Sequence, residues 1–138
     1  MAAAIQATGA AEVVGAMSTS LAGLPDWAIV GGVSTIAIYA SEFTSNTALA
    51  ATLMPLVAAI AKSLSMHPEA LLICTTLGAS CAFMMPVGTP PNAIVFGTGR
   101  IKIGEMVRAG FWLNLIAVVV ITFMCMILSP GIIESIKL

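Results

Sequence analysis

The sequence predicts an all-α integral membrane protein made of a re-entrant helical hairpin, a discontinuous transmembrane helix and a final transmembrane helix. Three observations carry this. Hydrophobic residues make up 59% of the 138-residue chain and charged residues 8%, with a mean hydropathy of +1.08, whereas soluble domains carry about 25% charged residues. Two long runs hold no charge at all, one between Glu42 and Lys62 and one from Ala70 to Gly99. Both runs are nevertheless broken by small polar or helix-breaking residues, Thr44-Ser45-Asn46-Thr47-Ala48 and Gly88-Thr89-Pro90-Pro91-Asn92. Irregular backbone at membrane depth is tolerated only where it is buried in protein or lines a polar cavity. Paired interruptions of this kind point to a transporter's binding site.

Residues 1–24 read as an interfacial helix and linker, with Ile5, Val13, Val14, Met17 and Leu21 on one stripe and Gln6 and Glu12 off it. Leu24-Pro25-Asp26 starts the next helix, with Asp26 placed to cap it and Trp27 at interface depth. Residues 25–99 form the part that carries the two breaks. Within them, 27–62 make the hairpin. Its first arm, Trp27 to Ala40, is about 14 residues long, against about 20 needed to cross a bilayer. The polar tip runs from Ser41 to Thr47, and a second arm from about Ala48 to Ala61 is closed by Lys62. The alternative is one spanning helix with a polar middle, but residues 27–62 far exceed a single crossing.

After a short loop, in which His67 is an interfacial residue, a third apolar helix runs from Ala70 to about Met85. Pro86 and the 88–92 stretch break it, and it resumes as Ala93-Ile94-Val95-Phe96, giving a discontinuous helix over 70–97. Gly97-Thr98-Gly99 terminates it and lacks the context of a phosphate loop. Residues 100–138 comprise a basic loop holding Arg100, Lys102, Glu105 and Arg108, then the clearest spanning helix, Phe111 to Leu128, ending at Ser129-Pro130-Gly131. If the hairpin returns to its own side, Asp26, Lys62, His67 and Glu69 share one membrane face, and Arg100, Lys102 and Arg108 share the other. The excess of positive charge then places the 100–108 loop in the cytoplasm and the C-terminus outside, for a multi-pass protein of the plasma (inner) membrane.

Several function classes lose support on composition. Five basic against six acidic residues give a net charge of −1 and no basic face for nucleic acid. Cys74, Cys81 and Cys125 sit singly in apolar runs, without the spacing of a metal site, and read as small buried hydrophobes. An enzyme is disfavoured: no carboxylate pair or His–nucleophile set lies at membrane depth, and Ser45 has no evident base to activate it. No cofactor is expected.

The chemistry of the breaks suits a cation beside an anion. Hard cations take oxygen ligands, and an unwound tip frees carbonyls that a helix would have used. The end of the first arm aims carbonyls at the tip, and the start of the second aims N–H groups there. Asn46 can offer its amide oxygen to a cation and its NH2 to a carboxylate, while Ser45 and Thr47 can donate hydroxyls. At the second break, Thr89 adds a hydroxyl, Gly88 allows close approach, and the prolines leave carbonyls unpaired. Neither Arg nor Lys lies near either break, so an anion bound there depends on dipoles, hydroxyls and a co-bound cation. The plainer reading is that such residues only bond across helices or kink them; two breaks with matched chemistry favour a site.

These residues resemble the divalent anion–sodium symporter family, the sodium-coupled dicarboxylate, citrate and sulfate carriers. Ser45-Asn46-Thr47-Ala48 looks like that family's second Ser-Asn-Thr motif. The run from Phe83 to Gly97, Phe-Met-Met-Pro-Val-Gly-Thr-Pro-Pro-Asn-Ala-Ile-Val-Phe-Gly, looks like its discontinuous helix near the C-terminus. The likeness extends from about Ile5 to Leu128. It implies the C-terminal half of an inverted-repeat, elevator-type secondary transporter that works as a homodimer in a lipid bilayer on a small anionic carboxylate. By the same resemblance, sodium would be held by Ser41, Thr44, Asn46 and Gly88, several through carbonyls, and the substrate by Ser45, Asn46, Thr47, Thr89 and Pro90. The family has two repeats and this chain has the motifs of one. The expectation is therefore a C-terminal portion, without transport activity alone, of a symporter for di- or tricarboxylates such as succinate, malate or fumarate. Alternatives are a proton-coupled or sulfate, citrate or arsenite carrier of the wider superfamily, and a non-transporting membrane docking protein.

Overall fold

The computed structural model describes residues 23–136 together with Gly9, Val13 and Val14, and side chains as far as Ile127. The interfacial helix expected over residues 1–24 therefore lies almost entirely outside the described residues. The described part is helical: α1 (Asp26–Ser41), α2 (Asn46–Ser63), α3 (Pro68–Ala79), α4 (Pro90–Gly97) and α5 (Ile103–Ile136).

α1 and α2 are joined by the turn 42–45, so the helix–turn–helix expected over 27–62 is present. At about 1.5 Å per residue the 16 residues of α1 reach about 24 Å. Asp26 does not cap α1. The N-cap is Pro25, and Asp26 is the first helical residue, a first-turn acid facing the positive end of the helix dipole. The second arm begins at Asn46, two residues before the expected start, because Ser45 is extended (φ −65°, ψ 129°) and serves as N-cap.

α3 is the centre of the packing. It lies against α1, α2 and α5, while the two hairpin arms touch each other less. Its buried residues, Ala70, Leu71, Cys74, Thr75, Gly78 and Ala79, form a wide stripe at helical spacing. A methyl group at Gly78 would lie 3.0 Å from Ala37 Cβ and 3.3 Å from the Ser34 carbonyl, so small residues set the α1–α3 approach. Ile29, Val30, Ile38, Val57, Ala61, Leu71, Cys74, Ile121 and Cys125 make one core shared by α1, α2, α3 and α5. Cys74 and Cys125 are free and buried, as their apolar surroundings suggested.

Around the second break, two expected boundaries move. The third helix stops at Ala79 rather than near Met85, and residues 80–89 are irregular. The N–H groups of Phe83, Met84 and Met85 are turned towards a side chain from the hairpin instead of a preceding helical turn. Pro90 and Pro91, read from sequence as part of the break, instead begin α4 at N1 and N2. Helix starts accept proline because the missing N–H has no helical partner there. Termination at Gly97-Thr98-Gly99 holds: Thr98 Oγ1 donates to the Val95 carbonyl (2.7 Å), and Gly99 is left-handed at φ +69°.

α5 starts at Ile103, so Glu105 and Arg108 lie in its first turns rather than in a loop. Glu105 accepts the Lys102 N–H at 2.9 Å, which fixes that start. The helix also continues through Ser129-Pro130-Gly131 to Ile136, since a single proline removes one backbone bond and the ladder resumes beyond it. Among the described residues, two helices are long and apolar enough to cross a membrane, Asn46–Ser63 and Ile103–Ile127. Large apolar side chains on α5, among them Trp112, Ile116, Val119 and Phe123, are more than half exposed, a surface suited to lipid or to further protein.

Candidate functional site

The turn between α1 and α2 holds most of the predicted residues. The first bond recorded for α2 runs from the Leu49 N–H to the Ser45 carbonyl (2.8 Å), which leaves the N–H groups of Asn46, Thr47 and Ala48 without a helical acceptor. Ser45 and Thr47 are exposed, and Ser45 makes no side-chain cap bond. Asn46 is half-buried, and its Oδ1 is buried with no hydrogen-bond donor among the described residues. A buried amide oxygen without a donor costs about 1–3 kcal/mol. A cation ligand would relieve that cost.

At the end of α1 both hydroxyls bond back to helix carbonyls, one exposed and one buried. Thr44 Oγ1 donates to the Ala40 carbonyl at 3.0 Å. Ser41 is fully buried; its Oγ donates to the Ile38 carbonyl at 2.7 Å and lies 3.3 Å from the Cys81 carbonyl. Any cation contact from these two residues would therefore use carbonyls or the remaining lone pairs, the mode expected for them.

The second break is drawn to the same place. Gly88 fits tightly: a methyl group there would lie 2.9 Å from Ala82 Cβ and 3.4 Å from Glu42 Oε2. Its N–H closes a turn on the Met85 carbonyl (3.1 Å). Thr89 is the extended N-cap of α4 without a side-chain cap bond, and Pro90 is exposed at N1. Asn92 Nδ2 donates to the carbonyls of Ala82 (2.8 Å) and Met85 (3.1 Å), tying α4 back to the break. The structure thus brings Ser41 and Gly88 into one neighbourhood. Among the described residues, no side-chain hydrogen bond joins Ser45, Asn46 or Thr47 to Thr89.

The join itself is made by residues that the sequence reading passed over. Glu42, 1% exposed, accepts the N–H groups of Phe83 (2.8 Å), Met84 (3.0 Å to each oxygen) and Met85 (2.9 Å). Asn114 of α5, fully buried, donates to Glu42 Oε1 at 2.7 Å. One turn earlier on α5, a methyl group at Gly110 would fall on the Phe83 carbonyl and within 2.6 Å of Met84 Cα. Two signals could have shown this: an ionisable residue in an apolar stretch marks a functional position by default, and Gly110 and Asn114 sit at i, i+4 on one helix face.

The family described as sodium:sulfate symporter transmembrane region matches residues 1–131. The sodium-dependent dicarboxylate transporter SdcS of Staphylococcus saprophyticus is 40% identical over 126 residues, 91% of this chain and 24% of that protein. The protein of the same name from Staphylococcus aureus strain MRSA252 is 38% identical over the same shares. An uncharacterized transporter of Haemophilus influenzae is 56% identical over 92 residues, 67% of this chain and 20% of that protein. The chain spans about a quarter of the length of these relatives. With a family match over nearly its whole length, this chain belongs to the sodium:sulfate symporter transmembrane-region family.

Proposed function

We propose that this chain supplies one sodium site and half of the substrate site of a sodium-coupled symporter for di- or tricarboxylates, of the succinate, malate or fumarate type. The observation that carries the reading is Asn46: a buried amide oxygen without a donor among the described residues, at the first position of a helix whose opening N–H groups have no helical acceptor. Asn46 Oδ1 and the carbonyls of Ser41, Thr44 and Gly88 serve the cation. The Asn46 amide, the free N–H groups and the hydroxyls of Ser45, Thr47 and Thr89 serve the carboxylate, with Pro90 against it. Cation and anion then sit side by side, and each raises the other's affinity by direct attraction. The names of the staphylococcal relatives favour a dicarboxylate, and the family description also includes sulfate.

In the same reading the α1–α2 hairpin is re-entrant, and it moves with α3 and α4 as a unit against a scaffold, in a homodimer of the complete carrier. Residues 100–108 face the cytoplasm and the C-terminus lies outside. The test is a chimera in which this chain replaces the matching quarter of the Staphylococcus saprophyticus protein. Succinate uptake that requires sodium and not potassium, and for which Asn46→Ala weakens the dependence on both sodium and succinate, supports the proposal. Uptake competed by sulfate but not by succinate would move the substrate to another anion. A chimera that folds but takes up neither anion would sink the symporter reading. This chain alone, in vesicles, should show no uptake.

A further inference from the structure

A buried acid beside a proposed sodium site invites assignment as a sodium ligand. The geometry points elsewhere. A carboxylate offers about four lone-pair sites, and Glu42 meets four donors: the N–H groups of Phe83, Met84 and Met85, and Nδ2 of Asn114. Both oxygens are engaged, Met84 bridges them at 3.0 Å to each, and the residue is 1% exposed. No lone pair remains for a metal ion. Successive N–H groups converging on one carboxylate make an anion nest, filled here by a side chain from the neighbouring hairpin.

We propose that Glu42 is a positioning residue. As an internal anion it holds the 80–89 break against the hairpin tip and α5, and so sets where the Gly88 and Thr89 backbone stands relative to Asn46. The last clause rests on the function proposed above; the clamp itself does not. Three further contacts have the same consequence. Gly88 packs 3.4 Å (for an added methyl) from Glu42 Oε2, Gly110 lets α5 lie against Phe83 and Met84, and Ser41 Oγ lies 3.3 Å from the Cys81 carbonyl. Hairpin tip, break and last helix meet at one carboxylate, so displacement of the break or of α5 must break charge-assisted bonds to the hairpin, and displacement of the hairpin tip must break both sets.

The test is hydrogen exchange by mass spectrometry on this chain in lipid nanodiscs, comparing wild type, Glu42→Gln and Glu42→Asp, each in sodium and in potassium. In Glu42→Gln the terminal NH2 confronts N–H donors, and exchange at 83–85 should quicken about tenfold in either salt. Glu42→Asp keeps the charge but is one methylene shorter; it should restore protection in part and leave at least one of the three amides fast. If Glu42→Gln cannot be purified, the comparison of Asp with wild type decides. Exchange at 83–85 unchanged in both variants overturns the proposal. So does a sodium-dependent change at 83–85 in wild type that Glu42→Gln removes while leaving basal exchange alone, since that is the pattern of a cation ligand. In the chimera, which completes the substrate site, sodium with succinate should separately slow exchange at 46–48. Failure of that response alone counts against the proposed function and leaves the clamp to be judged at 83–85.

Discussion

Glu42 and Asn46 stand four residues apart across one turn with opposite states of satisfaction. Glu42 has every acceptor position filled by protein donors. Asn46 Oδ1 has none filled among the described residues. We read the first as a structural anion and propose the second as a ligand position. Asn46→Ala in the chimera should therefore raise the half-saturating concentrations of sodium and succinate together, each by about tenfold, or about 1.4 kcal/mol; equilibrium binding measures both, and a change in only one would contradict the bridging role. Asn46 was legible because an amide between Ser and Thr in a charge-free run is conspicuous. Glu42 was not, because it stood at the edge of that run and looked like its boundary. Its partners are backbone N–H groups, which leave no mark in a sequence.

At the scale of elements, the end of α3 is set by contacts rather than by Pro90 and Pro91. Helix α3 ends six residues short of the expected Met85 because Glu42 takes three N–H groups that a longer helix would have used. Pro90 and Pro91, the most visible breakers in the sequence, only start α4. Pro90→Ala should thus cost little stability, within about 0.5 kcal/mol. Asn92→Ala removes the donor to the Ala82 and Met85 carbonyls and should cost about 1–3 kcal/mol. Glycines give a second contrast. Gly110→Ala drives a methyl into Phe83 and Met84 and should destabilise the chain by about 1–3 kcal/mol. Gly32→Ala, in α1 with nothing within 4 Å, should be neutral or stabilise it by up to about 1 kcal/mol. Thermal midpoints in one detergent would rank all four, and Gly110→Ala more stable than wild type would refute the close α5 approach.

For the whole molecule, composition announced the membrane, and residue pattern announced a hairpin, a broken helix and a last span. What the pattern could not announce is that α3 would be the hub, touched by α1, α2 and α5. That depends on Gly78, Ala37 and Ser34 letting two backbones approach, and small residues carry no periodic signal of their own. Topology is testable at this scale. In a background without Cys74, Cys81 and Cys125, Lys102→Cys should react with an impermeant thiol reagent from the cytoplasmic side and Ser65→Cys from the outside. Labelling of both from one side would contradict a membrane crossing by residues 70–97 between them.

The most direct measurement of the central claim is the thermal stability of the purified chimera in sodium against potassium, with succinate titrated into each. The account predicts stabilisation by sodium that grows with succinate, and no effect of succinate in potassium, because the anion site is completed by the cation. Succinate stabilising equally in both salts, or sodium and succinate acting independently, would contradict a coupled cation–anion site at Asn46.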